Sequence, residues 1–162
     1  MGVEMGVGGL QLSRDTIAGS RQARFALGVF AGYSPFRWLR VGFNASGWLI
    51  EPSGDYADPS KGVRVSNAFG QLELFPFKKI ALFTNLQWGR SQYTNMHVDG
   101  YQAIGTGTKV GLGYEYRIGN HGWLSLVMNY GFGSFKDVNN FVISVNNQHF
   151  DAFEVMVGLT YN

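Results

Sequence analysis

Cysteine is absent from the 162 residues, so neither a disulfide framework nor a thiolate metal site can form. Charge is scarce as well: Asp, Glu, Lys and Arg make up 15% of the chain, against about 25% in an ordinary soluble domain. Nor is there a long apolar run. The longest stretch free of strongly polar residues, Phe25 to Tyr33, has nine residues and includes Gly28 and Gly32, well short of the roughly 18 a spanning helix needs. A helical membrane protein is therefore excluded. The net charge of +2 comes from 13 Lys and Arg scattered without a basic block, so nothing marks a nucleic-acid-binding surface. Met1 is followed at once by Gly2, Val3 and Glu4, without a basic and apolar leader, and the chain reads as a mature one from which a signal peptide has been removed.

What the chain has in abundance is glycine, at 23 residues, and aromatic side chains, with 13 Phe, 8 Tyr and 4 Trp. They are arranged with period two, which is the period of a strand. In one segment Phe25, Leu27, Val29, Ala31 and Tyr33 alternate with Arg24, Ala26, Gly28, Phe30, Gly32 and Ser34. In the next, Leu39, Val41, Phe43, Ala45, Gly47 and Leu49 alternate with Arg40, Gly42, Asn44, Ser46 and Trp48. The division returns in Leu72 and Leu74 against Gln71 and Glu73, and in Ile80, Leu82, Thr84, Leu86 and Trp88 against Ala81, Phe83, Asn85, Gln87 and Gly89. Val110, Leu112, Tyr114 and Tyr116 alternate with Lys109, Gly111, Gly113, Glu115 and Arg117, and Leu126, Met128, Tyr130 and Phe132 with Ser125, Asn129, Gly131 and Gly133. The last segment sets Phe153, Val155, Val157, Leu159 and Tyr161 against Glu154, Met156, Gly158 and Thr160. With Gly2 to Leu12, whose parity slips near Gly8 and Gly9 and so predicts a bulge, the count is about eight strands.

Connector lengths alternate. Tight turns are predicted at Ser34 to Arg37, Phe75 to Lys78 and Ile118 to Gly122, and longer polar loops at Ser13 to Gln22, Glu51 to Gly62, Tyr93 to Gly100 and Val138 to Gln148. Three short turns on the side of both termini and four long loops on the other describe an all-β, eight-stranded antiparallel up-and-down barrel, with residues 1 to 162 as one domain.

A soluble barrel has the same period, so volume decides which face is inside. The lumen of an eight-stranded barrel is barely wide enough for side chains, and the small, polar face suits it. Lipid then meets Leu27, Val29, Val41, Phe43, Leu82 and Leu86, and further round Val110, Leu112, Leu126, Met128, Val155 and Val157. A polar network of Arg40, Asn44, Glu73, Asn85 and Gln87 with Lys109, Glu115, Arg117, Asn129 and Glu154 is expected to plug the core, since an Arg or Lys facing lipid at the midplane costs roughly 2 to 4 kcal/mol. Tyr33, Phe36, Trp38, Tyr116, Trp123 and Tyr161, with Phe75 and Phe77, gather near the short turns as an interface girdle.

On these features the whole chain resembles the eight-stranded outer-membrane barrels of the OmpA and OmpX type, and especially the barrel domains of Bacteroidota outer-membrane proteins. Gly158 and Tyr161 in the final segment match the C-terminal signal that such proteins present for barrel assembly; Met156 at its polar position and the end at Asn162 depart from it. The resemblance implies a bacterial outer-membrane location, contact with the bilayer and lipopolysaccharide, and other outer-membrane proteins as partners. The peptidoglycan-binding domain that follows the barrel in full OmpA-type proteins has no counterpart, so the chain reads equally as the barrel of a longer protein.

Candidate chemistry is sparse. His97, His121 and His149 show no ligand spacing for a metal, Asp55-Tyr56-Ala57-Asp58-Pro59 reads as turn chemistry ahead of a calcium loop, and the Gly-x-Gly runs at 105–107 and 111–113 suit a tight lumen ahead of a phosphate loop. Ser144 with His149 is the nearest thing to a rim hydrolase pair. Phe141 to Val145 is an apolar run in a polar loop, either a hairpin above the membrane or an edge for a partner. No cofactor is expected. The preferred function is a non-enzymatic structural or interaction component with a plugged lumen; a small pore or carrier and a lipid-modifying enzyme at the rim are the alternatives.

Overall fold

The computed structural model describes residues 1–12, 22–50, 63–95, 101–136 and 148–161. They form eight strands, β1 (Gly2–Leu12), β2 (Gln22–Phe36), β3 (Leu39–Ile50), β4 (Val63–Leu74), β5 (Leu82–Asn95), β6 (Tyr101–Ile118), β7 (Gly122–Lys136) and β8 (Gln148–Tyr161). Each pairs antiparallel with the next, and β8 returns to β1 to close the ring. At the seam the Met1 amino group donates to the Tyr161 carbonyl at 3.0 Å and Tyr161 N donates to Met1 O at 2.8 Å. Closure leaves no full-length edge to recruit another chain.

Following the paired rows once round the ring, from Val7 through Val155, Met128, Leu112, Thr84, Leu74 and Leu39 to Phe36, returns to β1 about ten residues lower. With ~3.3 Å per residue and ~4.8 Å between strands, that stagger tilts the strands by about 40°. Tilt is what lets residues far apart in the strand pairing sit at one height.

Two local expectations are corrected. β1 pairs without interruption on both sides, from Gly2 opposite Phe30 to Leu10 opposite Gln22 and from Gly2 opposite Thr160 to Leu12 opposite Phe150, so there is no bulge at Gly8 and Gly9. Its pattern slips because Gly9, with no side chain, occupies an outward position. The irregularity lies between Tyr33 and Phe36 in β2, where Pro35 has no N–H to give the ladder. That extra residue carries β2 on to Phe36 and moves the turn to Arg37 and Trp38. The turn after β6 spans 119–121 and uses Gly119 at φ 68°, a conformation that costs glycine nothing. β5 continues to Asn95, so Tyr93, expected in a loop, is a buried strand residue. The rest of the long loops, including 138–147, lies outside the described residues.

Apart from the irregularity in β2, the strands keep one parity from end to end, but the polarity of the two faces exchanges part-way up. On β5 the outward residues Leu82, Thr84, Leu86 and Trp88 give way to Arg90, Gln92 and Thr94, while the inward residues pass from Asn85 and Gln87 to Ser91 and Tyr93. β6, β7 and β8 do the same. Val110 and Leu112 are succeeded outward by Thr108 and Thr106, Met128 and Tyr130 by Ser134 and Lys136, and Val155 and Phe153 by Asp151 and His149; inward come Ala103, Phe135, Phe150 and Ala152. The lower tier is therefore apolar outside, as lipid requires, and inside it holds the buried charges and amides together with Phe83, Val127 and Met156. The upper tier is polar outside and apolar inside, as water requires.

Candidate functional site

The lumen holds the chain's dense polar chemistry, and it is layered. In the lower layer Arg40 bridges two carboxylates, with Nη1 at 2.8 Å from Glu73 Oε2 and 2.7 Å from Glu115 Oε1, and Nη2 at 3.2 Å from Glu115 Oε2. Gln71 donates to Glu73 Oε1 at 2.6 Å. The Phe75 ring closes this layer from below, 5.1 Å from the Arg40 guanidinium carbon and 5.1 Å from the Phe83 ring.

The middle layer is built around Lys109, which is 2% exposed. Its Nζ donates to Glu154 Oε1 at 2.8 Å and to Ser46 Oγ at 3.1 Å, and lies 4.5 Å from the Trp48 ring centroid and 5.8 Å from that of Phe69. Asn129 donates to the same Glu154 oxygen at 3.0 Å and accepts from Asn85 at 3.1 Å. Beside it Asn44 donates to Glu4 Oε1 at 2.6 Å. The room for these chains comes from glycine: a Cβ at Gly28 would stand 2.6 Å from Glu4 Oε1, and one at Gly111 would collide with Asn129 Oδ1. Above this layer Ser91 donates to Asn67 at 2.8 Å, and then Val65, Tyr93, Ala103, Phe135 and Phe150 fill the upper tier, with Phe135 and Phe150 stacked at 5.0 Å.

Of the residues expected in the lumen, the structure brings Arg40, Glu73 and Glu115 together in one cluster and Lys109, Glu154, Asn129 and Asn85 in another. Asn44 and Gln87 are buried beside them. Arg117 does not join: it is exposed and donates to the carbonyls of Gly119 at 3.1 Å and Asn120 at 3.3 Å. Its parity is inward, but at the end of β6 the wall stops and the turn offers nearer acceptors. Trp123, expected in the lipid-facing girdle, is corrected in the opposite sense: it has the inward parity of Ser125 and Val127, is half-buried, and has the Arg117 guanidinium carbon 5.8 Å from its ring centroid. Phe75 also turns inward. Leu27, Val29, Val41, Phe43, Leu82, Leu86, Val110, Leu112, Leu126, Met128 and Val157 are exposed on the outer wall, with Val155 half-buried there. Tyr33, Phe36, Trp38, Tyr116 and Tyr161 are exposed at the lower rim.

Sequence reasoning missed Glu4, hidden by the parity slip in β1, and the second aromatic ring of Phe25, Trp88, Tyr130, Phe132 and Phe153 at the tier boundary. The signal for that ring was present, since Phe25, Trp88, Phe132 and Phe153 are each the last large apolar residue on their face before small or polar ones begin, with Tyr130 just below Phe132. Among the described residues no group of three His, Asp or Glu could hold a metal ion. His121 lies in the turn with its ring 5.8 Å from that of Tyr161, and His149 lies on β8. His97, Ser144, the run Asp55 to Pro59 and the run Phe141 to Val145 lie outside the described residues.

No protein-family model matches the chain, and no curated protein matches it in sequence. Among solved structures, Neisserial surface protein A superposes with a TM-score of 0.57 at 16% identity, over 99% of this chain and 96% of that one. The fold is that of the small outer-membrane β-barrels. The outer-membrane protein OprG of Pseudomonas aeruginosa, at TM-score 0.45 and 14% identity, and Ail, the attachment invasion locus protein of Yersinia pestis, at 0.44 and 11%, match more loosely, each over 99% of this chain and 95% of theirs. An outer-membrane barrel of this build meets lipid with its lower tier and projects the upper tier beyond it.

Proposed function

We propose that this chain is a single-domain, non-conducting component of the bacterial outer membrane, with a structural or protein-interaction role as an accessory subunit. The observation that carries the reading is the closed lumen. An ion entering from above meets the Phe135 and Phe150 rings and the indole of Trp48, all fully buried, before reaching any charge, and an ion entering from below meets the Arg40 cluster under Phe75. In the middle layer Lys109 is paired with Glu154 and Glu4 is hydrogen-bonded by Asn44, so passage would require breaking a buried ion pair in a medium where such a break costs several kcal/mol. With transport closed off, the surfaces left for function are the wall and the loops, which favours contact with other outer-membrane proteins, in a setting of bilayer lipid and lipopolysaccharide.

Planar-bilayer recording tests the reading. The purified barrel is expected to give no steady current above the bare-membrane baseline at 100 mV in molar KCl; a stable, large single-channel conductance would overturn it in favour of a pore. Co-purification of a defined larger complex in mild detergent supports the accessory role, and its dissociation on exchanging loop sequences would locate the contact.

A further inference from the structure

Just above the upper aromatic ring, β6, β7 and β8 bring together side chains that the lumen reading does not use. The strand register sets Ser134 of β7 directly opposite His149 of β8, with Asp151 the next outward-facing residue along β8, opposite Phe132. On the other side Thr106 of β6 stands opposite Ser134, and Thr108 opposite Phe132. All five share the outward parity of β6 to β8; His149 and Thr106 are exposed, and Ser134, Asp151 and Thr108 half-buried.

Directly opposed residues of an antiparallel pair have Cβ atoms about 4.5–5.5 Å apart, which puts a serine hydroxyl within reach of an imidazole. Asp151 lies on the same face of β8, about 7 Å along the strand from His149. Thr106, Thr108, Ser134 and His149 line one cavity of about 350 Å³ in the outer wall. The wall is thin there because residues 107 and 133 are glycines, and the Phe150 ring occupies the space behind them, 3.0 Å from where a Gly107 Cβ would be and 2.5 Å from a Gly133 one. The cavity opens one row above Phe132 and Phe153, at the height where aromatic rings mark the headgroup boundary. Acyl esters of membrane lipids lie at that boundary.

We propose that Ser134 and His149, with Asp151 as a positioning residue, form a hydrolytic site for acyl esters of outer-leaflet lipids. The Ser134 Oγ adds to the ester carbonyl carbon as His149 takes the hydroxyl proton. The ester C–O bond then breaks, and His149 returns that proton to the departing alcohol oxygen. Water adds to the acyl-serine, passing a proton through His149 back to Ser134 Oγ, and the fatty acid leaves. Thr106 and Thr108, which line the same cavity, offer hydroxyl donors for the oxyanion. The site is separate from the lumen and adds an activity to the role proposed above: a conducting wild-type barrel would sink the closed-lumen reading and leave this site standing.

The test uses the whole folded barrel in detergent, treated with a fluorophosphonate probe and mapped by mass spectrometry. The same protein is assayed for fatty-acid release from phosphatidylethanolamine vesicles and from vesicles containing lipid A. The expected result is covalent labelling of Ser134, abolished in Ser134→Ala and reduced a hundredfold or more in His149→Gln, with release from one vesicle type or both identifying the lipid. Asp151→Asn is expected to lower kcat at unchanged KM, which a merely structural role would not do. Heat-modifiable gel migration shows that each variant is folded. Labelling that misses Ser134, labelling lost in Ser144→Ala, or release from neither vesicle type overturns the proposal.

Discussion

Lys109 is a buried cation whose partners all stand on strands: Glu154 and Ser46 accept its hydrogen bonds, and Trp48 and Phe69 lie against it. The pair itself adds little stability over a well-packed apolar replacement, because both ions were taken out of water, but removing one partner strands the other. Lys109→Met is therefore expected to destabilise the barrel by about 3–5 kcal/mol, read by urea unfolding in phospholipid vesicles. Lys109→Met with Glu154→Gln should recover most of that loss. If the single variant unfolds at the wild-type urea concentration, the ion pair does not organise the middle layer. At this scale the sequence was informative wherever a residue sat in the middle of a strand, where parity alone decides its side. It failed for Arg117, which has inward parity at a height where the lumen has ended, and for Trp123, whose inward parity was set aside for its closeness to a turn.

Along each strand the informative unit is the sequence of outward residues, and on β5 it runs Leu82, Thr84, Leu86, Trp88, then Arg90, Gln92 and Thr94. A cation is costly in the first part and harmless in the second. Leu86→Arg should cost roughly 2–4 kcal/mol, whereas Thr94→Arg, on the same face of the same strand, should stay within about 0.5 kcal/mol; vesicle unfolding of the two variants reads the difference. Equal effects would mean that lipid reaches to the top of β5. The eight strands and their inward and outward faces were legible because period two survives any tilt. The apolar filling of the upper tier was not, although Trp48, Tyr93, Phe135 and Phe150 are plain in the sequence. Which inward residues meet at one height depends on the stagger accumulated around the ring, and no single strand carries that information.

For the whole molecule, the exchange of polarity between tiers makes one chain serve two solvents. The lower tier needs lipid to hide its outer face, and the upper tier has an apolar interior of its own, so the barrel is a membrane protein below Trp88 and a small soluble-type barrel above it. The charges of the described lumen also divide by height, with Arg40, Glu73 and Glu115 low and Glu4, Lys109 and Glu154 in the middle. The outer reach of the strands, above the aromatic ring, is where the loops spring from and where the Ser134 cavity opens.

That boundary also fixes how deep the molecule can sit. A bilayer thicker than the band between Phe36 and Trp88 cannot be accommodated by sinking the barrel, because Arg90, Gln92 and Ser134 would enter hydrocarbon, and a closed sheet cannot lengthen as a helix can by changing tilt. The lipid must thin around it instead, at a fraction of a kcal/mol for each ångström. The protein is thus a ruler for the membrane, expected to gather where the leaflets are thin and to crowd with other short barrels that share the same puckered lipid collar.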